Sequence, residues 1–246
     1  MSDRIRRVYV AATPAPGTRA TLDPEESHHV ARVLRLRRGD AVEAFDGKGG
    51  AWDGTIEEAS GAGVTIAIGR AKDDEVEPIL RVVVHQAIAR PEKLEWVLQK
   101  GTELGVAAFR LIATERVEAP APSPSRLTRY ARIILEACKQ SGRRRLPELT
   151  WGAFQAPRPG GTAILLTPDV AAPPLGSMLD AEATPEVHLA VGPEGGFSEA
   201  ELDAARAAGW RLASLGPRVL RTETAGCVAA AIVLHRWADL GRRPGP

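Results

Sequence analysis

The sequence predicts an α/β protein of two parts, a small β-rich domain over residues 1–72 and a larger domain with a mostly parallel sheet over residues 73–246. Three observations carry this. Short strand-like stretches joined by glycine turns fill the first part, and apolar strands alternate with amphipathic helices in the second. The last two of those strands each run into a glycine-rich loop that opens a helix.

Composition sets the outer bounds. At 246 residues with 44% hydrophobic content, the chain can bury substantial cores. No apolar run approaches the roughly 18 residues of a membrane span, and the arginines near the N-terminus precede no apolar export segment. Neither membrane insertion nor export is expected. Cys138 and Cys227 lie in helical apolar contexts without a C-x-x-C, which fits buried free thiols in a reducing cytoplasm. His28 and His29 are adjacent, so on a helix they diverge, and no metal is expected.

Charge is segregated although the net is only +1. Residues 40–77 hold ten acidic and three basic side chains, whereas residues 126–145 hold seven basic and one acidic. A basic segment of this kind can neutralise phosphates, or simply reflect an arginine-rich composition.

In the first part, residues 4–10 read as a strand, broken by Pro14, Pro16 and Gly17. Asp23-Pro24-Glu25-Glu26 then starts a short helix reaching about Leu36, with Asp23 as cap and proline in the first turn. Strands follow over residues 41–45, 51–57 and 64–69, joined by glycine-rich hairpin turns at 46–50 and 60–63. The charged stretch Lys72 to Pro78 marks the change of pattern.

In the second part, residues 79–87 form a continuous apolar strand of the kind buried on both faces of a parallel sheet. Pro91 opens a helix whose apolar stripe is Leu94, Val97, Leu98 and Leu104 and which Gly105 closes. Residues 109–114 make the next strand, and a helix spans about 125–140. On it Arg126, Arg129 and Arg132 share one face. Further strands fall at 162–167, 187–191 and 210–215, and residues 168–185 are loop-rich.

The two glycine loops are Gly192-Pro193-Glu194-Gly195-Gly196 and Leu215-Gly216-Pro217-Arg218-Val219-Leu220-Arg221-Thr222-Glu223-Thr224-Ala225. Ser198 and Glu201 form a capping box for the helix after the first, and the second opens a helix over residues 222–240. Strand ends of this type gather backbone N–H groups and seat ligands in open α/β sheets. A turn alone does not require Arg218, Arg221, Thr222, Glu223 and Thr224 together.

With His29-Val30-Ala31-Arg32-Val33-Leu34-Arg35, Lys93-Leu94-Glu95-Trp96, Gln99-Lys100, Glu103-Leu104-Gly105-Val106, Glu136-Ala137-Cys138 and Gln140-Ser141-Gly142-Arg143, these loops resemble the RsmE-type enzymes of the SPOUT, or trefoil-knot, superfamily. The resemblance spans nearly the whole chain. It implies a PUA-like RNA-binding β-barrel followed by a SPOUT domain with a deep trefoil knot. The implied activity is methylation of N3 of a uridine in 16S rRNA of the small ribosomal subunit, with S-adenosyl-L-methionine as cofactor. It also implies a homodimer through the SPOUT domain, for which the apolar surface of the last helix, at Val228, Ile232, Val233 and Trp237, argues independently.

Carried over residue by residue, the resemblance implies a cofactor pocket at Leu166, Thr167, Gly192, Glu194, Gly196, Leu215, Gly216 and Leu220. Arg218 and Arg221 are expected beside the uridine, stabilising charge as its N3 loses a proton, with Glu194 orienting groups. RNA contacts are expected at Arg7, Arg32, Arg35, Lys93, Lys100 and Arg143. Lys139 and Thr167 depart from the residue types frequent in the family, so Thr167 is expected to act through its backbone. Two other readings compete. A dinucleotide oxidoreductase lacks support because Gly192, Gly195 and Gly196 do not spell G-x-G-x-x-G, and a non-catalytic RNA module would need only the barrel and the basic helix.

Overall fold

The protein is described by a computed structural model over residues 6–60, 63–154, 160–179 and 184–237. It divides into two compact units, Met1–Glu77 with Cys138–Leu146, and Pro78–Ala137 with Pro147–Pro246.

The first unit is built on strands β1 (Arg6–Tyr9), β2 (Arg19–Thr21), β3 (Ala41–Phe45), β4 (Ala51–Ser60) and β5 (Gly63–Ala71) in the order β1-β3-β4-β5-β2. β1 runs parallel to β3 and the other pairs are antiparallel. β2 was not anticipated, since three residues after a proline-glycine break carry too little pattern. Val8 of β1 and Leu22 beside β2 share one buried cluster with Trp52, Ile56 and Ile66, although those strands stand at opposite ends of the sheet. Asp46 builds the first hairpin turn by accepting from the Lys48 and Gly50 N–H groups and from Thr13 Oγ1.

The expected helix over 24–36 is two pieces. Helix α1 (Pro24–His28) is capped by Asp23, which accepts from the Glu26 N–H, and a π-helical turn His29–Val33 continues it. Arg35, at φ 55°, is the non-glycine residue held in the left-handed region among the described residues, and it turns the chain out of that helix.

The second unit contains a six-stranded sheet, all pairs parallel, in the order β11-β9-β10-β6-β7-β8. Its strands are β6 (Arg81–Ala87), β7 (Ala108–Ala113), β8 (Glu148–Ala153), β9 (Thr162–Leu166), β10 (Glu186–Val191) and β11 (Arg211–Ala213). β8 escaped sequence reading because it is an edge strand with mostly exposed side chains and no apolar run. The helices are α2 (Pro91–Leu104), α3 (Pro124–Ser141), α4 (Leu175–Met178), α5 (Glu199–Ala207) and α6 (Thr222–Trp237). α4 lies in the stretch expected to be loop, and residues 238–240 of the expected last helix lie outside the described residues.

Gly105 ends α2 at φ 109°, and a Cβ there would stand 2.5 Å from Pro78 Cγ, so glycine is required on two grounds. On one face of the sheet Leu165, Ala190, Phe197, Ala205 and Trp210 form a buried cluster, and α2 packs with α6. β6 is less uniformly apolar than it reads, because His85 and Gln86 are buried within it.

Candidate functional site

Strand register assembles the site. Val191 at the end of β10 pairs with Leu166 of β9 on one side and Gln86 of β6 on the other, and Leu166 pairs in turn with Ala213 of β11. Four strand ends therefore stand in one row, and the loops that leave three of them open to the same side. Thr167 continues the row by donating its N–H to the Ala213 carbonyl at 3.0 Å.

Those loops enclose a pocket of about 440 Å³, within the range of small-molecule sites. Its lining includes all eight residues expected at the cofactor: Leu166, Thr167, Gly192, Glu194, Gly196, Leu215, Gly216 and Leu220. Arg218 and Arg221 line it too, both exposed and without an ion pair among the described residues. The first loop turns tightly, with Gly196 at φ 70° donating to the Pro193 carbonyl, and the second places Gly216 at φ 102°. A Cβ on Gly192 would press on the Phe197 ring at 3.1 Å. These are backbone-lined walls with leucine and valine between them, a setting that fits a nucleoside carrying a thioether side chain.

Helix starts frame the pocket. Ser198 and Glu201 make the expected capping box on α5, each bonding the other's backbone N–H. At the start of α6, Thr222 Oγ1 donates to the Gly192 carbonyl at 2.6 Å and accepts from Gln86 Nε2 at 2.8 Å. Gln86 is fully buried. Sequence reading missed it, although an amide inside an otherwise apolar strand is the kind of signal that points to a tertiary hydrogen bond.

Lys93, expected to meet RNA, is engaged beside the pocket. Its Nζ lies 2.5 Å from Glu194 and 3.5 Å from Glu223, joining α2, the first glycine loop and α6. The hydrogen bond from Lys93 holds the Glu194 carboxyl below the usual carboxylate range, which makes it a weak base.

The remaining expected RNA residues differ in exposure. Arg32 and Arg35 are exposed on the first unit, and Lys100 is half-buried and pairs with Glu103 at 2.9 Å. Arg7 is committed within that unit: it pairs with Glu43, donates to the Cys138 and Arg143 carbonyls, and stacks over Phe45. Arg143 is buried and holds Glu77 at 2.8 Å. These contacts hold both side chains within the first unit.

Away from the pocket, His85 and His188 form a buried pair, Nε2 to Nδ1 at 3.0 Å, and His188 Nε2 lies 2.7 Å from Glu186. Burial, with His188 and Arg110 nearby, pushes the His85 imidazole down to about 3. Burial likewise raises the Cys138 and Cys227 thiols to about 11. Among the described residues no group of three or more His, Cys, Asp or Glu is arranged to hold a metal, and no helix is long and apolar enough to cross a membrane.

Comparison with known proteins agrees with this geometry. Residues 75–234 match the family described as RNA methyltransferase domain, and residues 22–68 match that described as RNA methyltransferase PUA domain. The ribosomal RNA small subunit methyltransferase E of Synechocystis sp. is 34% identical over 232 residues, spanning 92% of this chain and 76% of that protein. A methyltransferase of Legionella pneumophila, solved with SAM bound, superposes with a TM-score of 0.89 at 32% identity, over 96% of this chain and 100% of the other. The ribosomal RNA small subunit methyltransferase E of Neisseria gonorrhoeae, solved with S-adenosyl methionine, gives a TM-score of 0.89 at 28% identity over the same shares. By the match over residues 75–234 and the identity to the Synechocystis enzyme, the chain belongs to the RNA methyltransferase family that includes the ribosomal RNA small subunit methyltransferases E.

Proposed function

We propose that the protein transfers a methyl group from S-adenosylmethionine to N3 of a uridine in 16S rRNA of the small ribosomal subunit. The observation that carries this reading is the convergence of both glycine loops and the end of β9 on one pocket, with Arg218 and Arg221 on its wall, in a chain of this family. When bound, the cofactor supplies a methyl group on a sulfonium, and the thioether that departs is neutral and needs no acid.

The chain's own task is at the base. Uridine N3 carries a proton in neutral water, so charge accumulates on the flanking carbonyl oxygens as that proton leaves. Arg218 and Arg221, exposed on the pocket wall and in no ion pair among the described residues, supply donors for that charge. Glu194, ionised and paired to Lys93, orients the first loop. The backbone and apolar groups of residues Leu166, Thr167, Gly192, Gly196, Leu215, Gly216 and Leu220 hold the cofactor.

The same reading takes residues 1–72 as the RNA-binding domain, with Arg32 and Arg35 at phosphates, and residues 73–246 as the catalytic domain. The compact units add residues 73–77 and 138–146 to the first of these. The trefoil threading, a homodimer through the catalytic domain and action in the cytoplasm complete the proposal, supported by kinship with the family. Incubation with radiolabelled S-adenosylmethionine and either small subunits or bare RNA, followed by mapping of the modified base, tests it. Label at N3 of one uridine is expected; label on another base or none at all overturns it.

A further inference from the structure

Arg116 reaches the pocket from an element that sequence reading did not connect to it. It lies in the segment after β7, whose backbone is fixed on both sides. The Glu115 N–H donates to Glu201 Oε1 at 3.0 Å, and the Val117 N–H turns back to the Thr114 carbonyl at 3.2 Å. Arg116 Nη1 donates to the Gly195 carbonyl at 3.0 Å, and the arginine stem lies over Gly195, its Cβ 3.4 Å from where a Cβ of residue 195 would stand. One N–H is thus committed to the first glycine loop, and the guanidinium makes no ion pair among the described residues while lining the pocket.

We infer that Arg116 holds the carboxylate of the cofactor's amino-acid tail, an assignment that rests on the reading of this pocket as the cofactor site. The adenosine half of that ligand is uncharged, and backbone groups with apolar walls suffice for it. The amino-acid end carries an ammonium and a carboxylate, and the carboxylate leaves bulk water at a cost unless a cation with N–H donors receives it. Arg116, Arg218 and Arg221 are the cationic side chains of the lining. Arg218 and Arg221 share one loop, and among the described residues no bond fixes either guanidinium. Arg116 is the one of the three anchored among the described residues, by its bond to Gly195, so its planar fork is oriented before a ligand arrives. Of the lining carboxylates, Glu194 is neutralised by Lys93 and leaves Arg116 available.

An RNA phosphate is the other anion a pocket-mouth arginine could meet, and a pair of ligands separates the two. S-adenosylhomocysteine and 5′-methylthioadenosine share the adenosine and the thioether, and the second lacks the amino-acid tail. By isothermal titration, Arg116→Ala is expected to weaken S-adenosylhomocysteine about tenfold, the scale of one charge-assisted hydrogen bond, and to leave methylthioadenosine unchanged. Arg116→Lys, which keeps charge without the fork, should fall between. Equal weakening of both ligands would reduce Arg116 to a brace for the loop. Unchanged S-adenosylhomocysteine binding with poorer methylation of subunits would assign it to RNA. Either result overturns the inference, whereas wild-type protein that binds neither ligand overturns the cofactor reading of the pocket itself.

Discussion

Thr222 Oγ1 donates to the carbonyl of Gly192 across 2.6 Å and so ties the start of α6 to the floor of the pocket. Gln86 Nε2 completes the tie from β6. Thr222→Val keeps the shape and removes the hydroxyl, so the half-buried Gly192 carbonyl loses that donor and the buried Gln86 amide keeps only its 3.4 Å bond to the Ala87 carbonyl. A loss of about 1–3 kcal/mol in stability is expected, together with weaker S-adenosylhomocysteine binding. Thr222→Ser should restore both. Urea midpoints and calorimetric affinities check this, and a serine variant as damaged as valine would show that the methyl group, not the bond, matters.

Arg221→Ala should lower methyl transfer roughly 10²-fold or more, the scale of removing one preorganised donor at a developing negative charge. Cofactor affinity should change little. Arg221→Lys should rescue in part, since a point charge lacks the fork. Single-turnover rates beside binding constants decide the matter; intact turnover with lost affinity would move Arg221 to the cofactor.

Lys93 and Glu194 are expected to act as one unit. Glu194 is more than half exposed, and Lys93 holds its carboxyl ionised below the usual range, so its contribution persists at neutral pH and is lost only in acid. Glu194→Gln should therefore leave the pH profile unchanged near neutrality and reduce the rate by less than about tenfold, far short of the loss of an essential base. Adding Lys93→Ala should cost little more, because the partners are already parted. A rate that becomes strongly pH-dependent in the glutamine variant would instead make Glu194 the base.

His85 sets an acid limit on stability. Its folded value of about 3 lies below the ordinary 6.5, so the unfolded chain binds a proton that the folded chain refuses between those values. The contribution is whole above about pH 6.5 and is lost as pH falls towards 3. Around pH 5 to 6, above carboxylate titration, stability should fall by up to about 1.4 kcal/mol per pH unit from this group. The groups beside His85 are His188, Trp210 and Arg110. His85→Asn should flatten that slope in denaturation series; an unchanged slope would place the sensitivity elsewhere.

Much of this was legible in the chain because local signals carried it. Pro91 and Gly105 bound α2, and Ser198 with Glu201 capped α5, since caps and left-handed closures depend on a few neighbours. The pocket lining was legible through motif order. What escaped depended on partners distant in sequence. Gln86 acquires its meaning from Thr222, and Arg116 from Gly195. Arg7 and Arg143 read as surface cations, and only folding revealed the carboxylates that occupy them. β8 and β2 owe their strand state to neighbours in the sheet rather than to their own pattern.

The first unit is discontinuous: Lys139 meets the buried Glu26 at 2.5 Å, Arg144 reaches Asp74, and Leu146 donates its N–H to the Gly47 carbonyl. On a ribosome that emits the chain from its N-terminus, the strands of this unit leave the exit tunnel well before residues 138–146 do. At roughly 5–20 residues per second, that interval lasts several seconds. Throughout it Glu26 lacks its ammonium and Glu77 its guanidinium, so the N-terminal sheet is complete in sequence but unfinished in charge. The order of synthesis and the order of folding therefore part company: the first domain to be made is sealed only after the first half of the second has appeared.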